Sequence, residues 1–551
     1  MNTPATKHDR FEGFRWEIVP GALASEEVAG VLQNRFSTFR ERLDRLDPDD
    51  RAWFVLERGD GSDLFVKVFR YTSFLKRLRY TALGSQAKTE WEHLLRLRDS
   101  AVRVPEPVGF GVSYDGRLLN ECVLVTEHVA GADTLRSHVR ALYGTDAWPG
   151  YRERLWIRLA GIVDGLAEEG FFHDDLHDQN LIVAPADPKQ VRDTTPEIVV
   201  TDLHRATVKR RLSRRTLLRM LAFLGYSMTH VLPPWELRRF YRVLTENTDA
   251  GSRLPGWSTF TEHLVQRKRA YLKSRTESAF KENVSHCTLE KGRWSVYHDP
   301  EVPPEEVRAW IGPRDGNAYD EDRVLKRRSD GRVVRRSGGN REVVVKETFG
   351  RPLKRRGERL LGRSKARKSW RNAYGLKVRG ISTPQALAVI EPTRSLSRDS
   401  SFFVQEYLEE AADAITFVRR MEAGGDGQVL RRKRRFTGAL GRYLRKLHRK
   451  GIFHKDLKAS NILVRRNLDE GYRFDLLDLD RMEFYDRPLP EGPRIKNLLQ
   501  VNSALPAPLS RMDRWHGWRV YCSGPEVSFA DHRSVLAEIM EKSRERDHEW
   551  P

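Results

Sequence analysis

The sequence predicts an α+β fold that is built twice in tandem. Two observations carry this. Residues 173–180 (HDDLHDQN) and 454–461 (HKDLKASN) repeat one pattern: His, Asp two places on, and Asn five after that Asp. Each half also runs from short β-branched apolar segments into longer stretches with helical periodicity. At 551 residues the chain is too long for one ordinary core, and two domains of about 250 residues are the natural expectation.

Taken in order, the elements repeat at an interval of about 280 residues. RWEIVPGALASEEVAGVL (15–32) answers RWSVYHDPEVPPEEVRAWI (293–311), with Trp16 opposite Trp294. LFVKVF (64–69) and VVVKETF (343–349) read as strands that place Lys67 opposite Lys346. Glu90 to Leu97 follows as a helix with Trp91, Leu94 and Leu95 on one face. RVPEPVGFG (103–111) matches STPQALAVI (382–390), and the strands VLVTEHVAG (123–131) and FFVQEYLEE (402–410) lead from a small lobe to a large one. Leu155, Leu159, Ile162 and Leu166, and then Leu440, Leu444 and Leu447, mark a buried helix before each His-x-Asp loop. Residues 215–272 and 494–544 are helical and Trp-rich. The expected domains are 1–272 and 292–551, joined by a polar linker at 273–291.

The repeated motif fits phosphoryl transfer, which needs a carboxylate to orient a hydroxyl and an amide plus a second carboxylate to hold magnesium on ATP. Each half therefore reads as a bilobal, protein-kinase-like domain. Asp175 and Asp456 are the expected catalytic bases. Asn180 with Asp202, at the end of IVVTD, and Asn461 with Asp478, in LLDLD, are the expected metal ligands. A lone Asp or Asn after a strand is usually a turn residue, but spacing and duplication agree here. His173 and His454 read as supports of the loop. His177 and Lys458 sit two places after each base, where a Lys neutralises and a His hydrogen-bonds the transferring group; the two sites are expected to have diverged.

Lys67 and Lys346 lie in apolar strands, where an unpaired ammonium is costly. They are expected to reach ATP phosphates, steadied by a helix carboxylate. Snorkelling from an edge strand is the alternative. For Lys67 the acid is Glu90 or, failing it, Glu92; the position matching Glu90 in the second half is Ser369, and no acid lies between 359 and 379. GDGSD (59–63) and SGGN (337–340) read as hairpin turns rather than phosphate-covering loops.

The formal net charge is +21, and twelve Lys or Arg residues crowd 351–379 against the single acid Glu358. Such charge suits RNA, an anionic membrane surface or a phosphorylated substrate, or simply a solvated face. Neither zinc-finger spacing nor an RNP-like aromatic segment is present, so nucleic acid is not expected. Three isolated cysteines, Cys122, Cys287 and Cys522, support neither a disulfide framework nor a zinc site. The absence of a signal-peptide core and of an 18-residue apolar run leads to an expected place in the cytoplasm or, peripherally, on the inner face of the cytoplasmic membrane.

The motifs VVVKETF, KARKSWRNAYGLKVRGISTPQAL, HKDLKASNILV, LLDLDRMEF and RIKNLLQVN in the second half, with TEWEHLLRLRDSAVRVPEPVGFG, HDDLHDQNLIV and VTDLHRA in the first, resemble the bacterial lipopolysaccharide kinase group of Kdo, heptose and InaA-type kinases. That resemblance implies a protein-kinase-like fold, ATP and Mg2+ as cofactors, and a sugar hydroxyl of lipopolysaccharide core or a related anionic glycolipid as acceptor. It also implies catalytic roles for Asp175 and Asp456, metal roles for Asn180, Asp202, Asn461 and Asp478, and nucleotide roles for Lys67 and Lys346. The family is usually single-domain, so the tandem copy is a departure. Other readings are a protein kinase, disfavoured by the lack of an A-P-E-type segment soon after Asp202 or Asp478, a small-molecule kinase of aminoglycoside type, and a catalytically silent scaffold.

Overall fold

Near-continuous apolar runs bury the central strands of the first sheet on both faces. In the computed structural model it comprises β1 (Lys7–Phe11), β2 (Phe14–Ile18), β3 (Arg51–Leu56), β4 (Leu64–Arg70), β5 (Pro107–Asp115) and β6 (Leu118–Glu127), in the antiparallel order β1-β2-β5-β6-β4-β3. The structure describes the chain apart from residues 1–5, 12, 25, 35–50, 59–61, 72, 185–194, 281–286, 292–293, 312–323, 339–340, 351–352, 395, 424–427, 468–470, 525–528, 530 and 547–551. Contacts divide it into two compact units, Met1–Ala270 and Tyr271–Pro551.

In β4, Leu64, Val66 and Val68 join Trp16, Val31 and Val123 in a core on one face of the sheet. The period of two then forces Lys67 onto the other face, where helix Gln86–Leu97 packs with Trp91 stacked on Phe110. Below the sheet, β7 (Asp133–Thr134), β8 (Phe171–His173), β9 (Leu181–Ala184), β10 (Glu197–Val200) and β11 (Ala206–Val208) form two small ribbons that frame the His-x-Asp loop. Helix Trp148–Glu168 leads into it, burying Leu155, Leu159, Ile162 and Leu166 as their spacing predicts. Helices Arg214–Met228, Pro234–Asn247 and Trp257–Glu277 follow.

The second unit repeats this plan. β12 (Cys287–Lys291), β13 (Trp294–His298), β14 (Val324–Arg328), β15 (Gly331–Gly338), β16 (Arg341–Thr348), β17 (Ala386–Pro392) and β18 (Ser401–Glu406) run in the order β12-β13-β17-β18-β16-β15-β14. The order matches the first sheet, with β14 added at the far edge. Val343 and Val345 enter a core with Trp310 and Ile390, so Lys346 faces helix Lys365–Val378. β19 (Ala412–Asp413), β20 (Ile452–His454), β21 (Ile462–Asn467), β22 (Gly471–Leu476) and β23 (Met482–Phe484) frame its loop, and helix Val429–Arg449 precedes it.

Neither lysine strand is an edge: β4 lies between β3 and β6, and β16 between β15 and β18. Snorkelling from an edge is thereby excluded. The described part of 273–291 is regular rather than linker-like. A helix runs to Glu277, Ala279 is fully buried in the second unit's core, and its carbonyl accepts from Trp370 Nε1 at 2.7 Å.

Candidate active site

Each His-x-Asp loop is fixed by its own backbone. His173 is fully buried; its Nε2 donates to the Thr201 carbonyl at 3.2 Å while Nδ1 accepts from Asp175 N at 3.3 Å. His454 does the same with Leu477 O at 2.9 Å and Asp456 N at 3.2 Å. Burial lowers both imidazole pKa values, that of His173 to about 4. Both rings are therefore neutral supports at pH 7, not acid-base groups. Asn180 Nδ2 donates to Asp175 O at 3.0 Å and Asn461 Nδ2 to Asp456 O at 2.9 Å, which turns each Oδ1 away from that carbonyl.

The carboxylates expected to hold metal share one conformation. Asp202 (φ 60°, ψ 47°) and Asp478 (φ 53°, ψ 51°) are the non-glycine residues with positive φ among those described. Left-handed backbone in a non-glycine residue costs on the order of 1 kcal/mol and is concentrated at functional sites. Here it swings the carboxylate back toward the lysine strand. Lys67 Nζ lies 2.6 Å from Glu90 Oε1 and 3.6 Å from Asp202 Oδ1. Burial alone would lower the Lys67 pKa, but the two carboxylates outweigh it and the net shift is upward. Asp202 is held well below the usual carboxylate range. Burial opposes that shift, and the His204 hydrogen bond (2.9 Å) and Lys67 overcome it.

The second site assembles differently. Ser369 is buried where Glu90 would stand, and Lys346 Nζ turns directly to Asp478 Oδ1 at 3.3 Å. Arg328, at the end of β14, takes the other oxygen at 2.7 Å. Burial would raise the Asp478 pKa, yet Lys346 and Arg328 hold it well below the ordinary value. The β14–β15 turn is itself anchored: Asp330 pairs with Lys365 at 2.6 Å and with Arg355.

Among the residues read from sequence, Lys67, Glu90 and Asp202 come together, as do Lys346 and Asp478. Asp175 with Asn180, and Asp456 with Asn461, form the two loops. Lys458 Nζ lies 3.3 Å from Asp456 Oδ1, whereas His177 packs edge-on against Phe223 and burial lowers its pKa. SGGN closes the β15–β16 pairing (Gly338↔Arg341) as a hairpin, with 339–340 outside the described residues; of GDGSD, residues 59–61 are also outside them.

Several neighbours escaped the sequence reading. Arg205 and Arg481, three places after each left-handed Asp, reach Asp175 (2.8 Å) and Asp456 (3.7 Å). The repeated D-L-x-R was the available signal. The turn at Arg328–Gly331 carried an Asp-Gly pair between strand-like runs, an ordinary hairpin signal. Asn497 and Gln500, from RIKNLLQVN, hold the second loop by bonding His454 O at 2.6 Å and Lys455 O at 2.8 Å.

The donors suit a hard divalent cation. Each site offers a carboxylate that stays ionised and an amide oxygen, as magnesium prefers. The first adds His204, which with Glu90 and Asp202 forms a cluster whose ligand atoms lie within 4.8 Å of one another. Asp480 stands at the equivalent place in the second.

The model of the Lipopolysaccharide kinase (Kdo/WaaP) family matches residues 48–243 and again 317–521, which together make up well over half of the chain. No curated protein matches. Among solved structures, one titled "WaaP in complex with acyl carrier protein" is similar at 24% identity, covering 41% of this chain and 89% of that one with a TM-score of 0.33.

Proposed function

Because the chain belongs to the lipopolysaccharide kinase (Kdo/WaaP) family and is a kinase, we propose that it transfers the γ-phosphoryl group of MgATP to a sugar hydroxyl of lipopolysaccharide core or a related anionic glycolipid. The observation that carries this reading is the twofold convergence of a lysine, a left-handed Asp and an Asn-braced Asp. Asp175 and Asp456 would accept and align the proton of the attacking hydroxyl, while Lys67 and Lys346 would hold the α- and β-phosphates. Asn180 with Asp202, and Asn461 with Asp478, would hold magnesium, which when bound neutralises charge on the phosphoryl oxygens. Glu90 positions Lys67. His177 and Lys458, two places after each base, would stand beside the transferring group, Lys458 to neutralise its charge and His177 to hydrogen-bond it. The acceptor would be met at the inner face of the cytoplasmic membrane; no helix among the described residues is long and apolar enough to cross a membrane.

The test is incubation of the full chain with γ-labelled ATP and an envelope lipid extract, resolved by mass spectrometry. Label on a core glycolipid is the expected result. Label confined to protein side chains would replace this reading with a protein kinase.

A further inference from the structure

Two short helices, one in each unit, are turned inside out. Helix Phe74–Leu83 (FLKRLRYTAL) has no buried residue. It attaches through polar groups one turn apart: Arg77 donates to Leu119 O at 3.2 Å and to Asp115 Oδ2 at 2.9 Å, and Thr81 Oγ1 accepts from Leu119 N at 2.8 Å. Tyr80 packs inward on Tyr71, with ring centroids 4.7 Å apart, while Phe74 and the leucines face outward, Phe74 65%, Leu75 74%, Leu78 49% and Leu83 77% exposed.

Helix Leu353–Leu360 (LKRRGERL) occupies the same place after the second lysine strand and repeats the inversion. Arg355 and Arg359, again one turn apart, face inward. Arg355 pairs with Asp330 and Glu358, and Arg359 donates to Asp399 O at 2.7 Å. Leu353, Leu360 and Leu361 stand 77%, 64% and 66% exposed. A surface helix of a water-soluble domain normally does the reverse. Scattered exposed leucines need no explanation, but the same inverted arrangement in two copies with different sequences does.

We propose that each of these helices is a membrane-docking surface of its own unit, and that the partner of each is an anionic phospholipid bilayer. The choice of a bilayer rests on charge and geometry. With Arg77 turned inward, the first helix still carries Lys76 and Arg79 and has no acid. With Arg355 and Arg359 turned inward, the second still carries Lys354 and Arg356, and its one acid, Glu358, is engaged by Arg355. Apolar side chains rimmed by cations are what an interfacial helix inserts beneath anionic headgroups. Each helix directly follows a lysine strand, so docking brings the nucleotide-side lobe of its own unit to the lipid. This deepens, and for its purpose rests on, the reading of the acceptor as a membrane glycolipid.

The test does not depend on that reading, because vesicle binding requires neither ATP nor acceptor. Purified full-length protein is sedimented with vesicles of phosphatidylglycerol and phosphatidylethanolamine, or of phosphatidylcholine alone. Strong binding to the anionic vesicles, weakening with salt, is expected. Leu75→Glu with Leu78→Glu, and separately Leu353→Glu with Leu361→Glu, should each weaken it by about tenfold, and all four together should abolish it. Hydrogen exchange on the wild-type protein should show both helices protected by anionic vesicles, a readout that needs no substitution. An unchanged circular dichroism spectrum and thermal midpoint would confirm that the variants are folded. Wild type left in the supernatant, variants binding as wild type, or a dimer in solution that the Glu variants break would each overturn the proposal. Vesicle binding without glycolipid labelling would instead retain the docking surface and discard the acceptor.

Discussion

Arg328 is the residue that most separates the two sites. Asp202 and Asp478 have nearly the same left-handed backbone, yet Asp202 shares its cation with Glu90, while both oxygens of Asp478 are taken by Lys346 and Arg328. A divalent ion reaching Asp478 must compete with a guanidinium. The pair is partly solvated, so its strength is at most about 1 kcal/mol. Arg328→Ala should tighten Mn2+ binding at the second site by about threefold to fivefold, read by electron paramagnetic resonance in an Asp202→Asn background. Weaker binding of Mn2+ with ATP would mean that Arg328 serves the phosphates instead of guarding the carboxylate. Sequence offered the Asp-Gly turn but not this contact, which joins residues 150 positions apart.

At the scale of elements, the helices before each loop were legible and their neighbours were not. Leu440, Leu444 and Leu447 recur at helical spacing and are all buried in helix Val429–Arg449. What crosses that helix is set by a glycine. A Cβ on Gly441 would lie 2.4 Å from the Gly517 carbonyl, so helix Arg511–Cys522 approaches backbone to backbone there. His448 and Tyr521 close the same interface at 2.8 Å. Gly441→Ala gains up to about 1 kcal/mol of helix propensity but must separate the two helices, an overpacking cost of about 1–3 kcal/mol. The overlap with a carbonyl oxygen decides the sign. Urea unfolding should show a net loss of about 1–2 kcal/mol; a variant as stable as wild type would mean that the crossing is looser than described.

At the scale of the molecule, the question is how two copies share one activity. The sheets have the same strand order, and both lysines, both left-handed Asp residues and both braced loops persist. The first unit keeps the Lys67–Glu90 pair, whereas the second has a buried Ser369 and a lysine paired, among the described residues, with Asp478. A lysine without a helix anchor loses positioning in the transition state while magnesium and backbone contacts still support nucleotide binding. Asp175→Asn should therefore remove at least about a hundredfold of kcat and Asp456→Asn far less, with nucleotide affinity retained in both. Turnover lost only in Asp456→Asn would make the second unit the working enzyme and remove the helix acid as a criterion.

The sequence by itself determined the duplication, the α+β order of elements, and the lysine, Asp and Asn positions, because each is written locally: short β-branched apolar runs around Lys67 and Lys346, period 3.6 in the helices, and five residues from Asp to Asn. The tertiary structure alone decided what those groups meet. Arg328 on Asp478, Arg205 on Asp175, and Asn497 under the second loop are contacts between distant segments, and no local periodicity records them. Helices Phe74–Leu83 and Leu353–Leu360 make the same point from the other side. Their sequences define an apolar and a basic face, but periodicity cannot say which face turns inward; the polar partners waiting at Asp115, Leu119, Asp330 and Asp399 do.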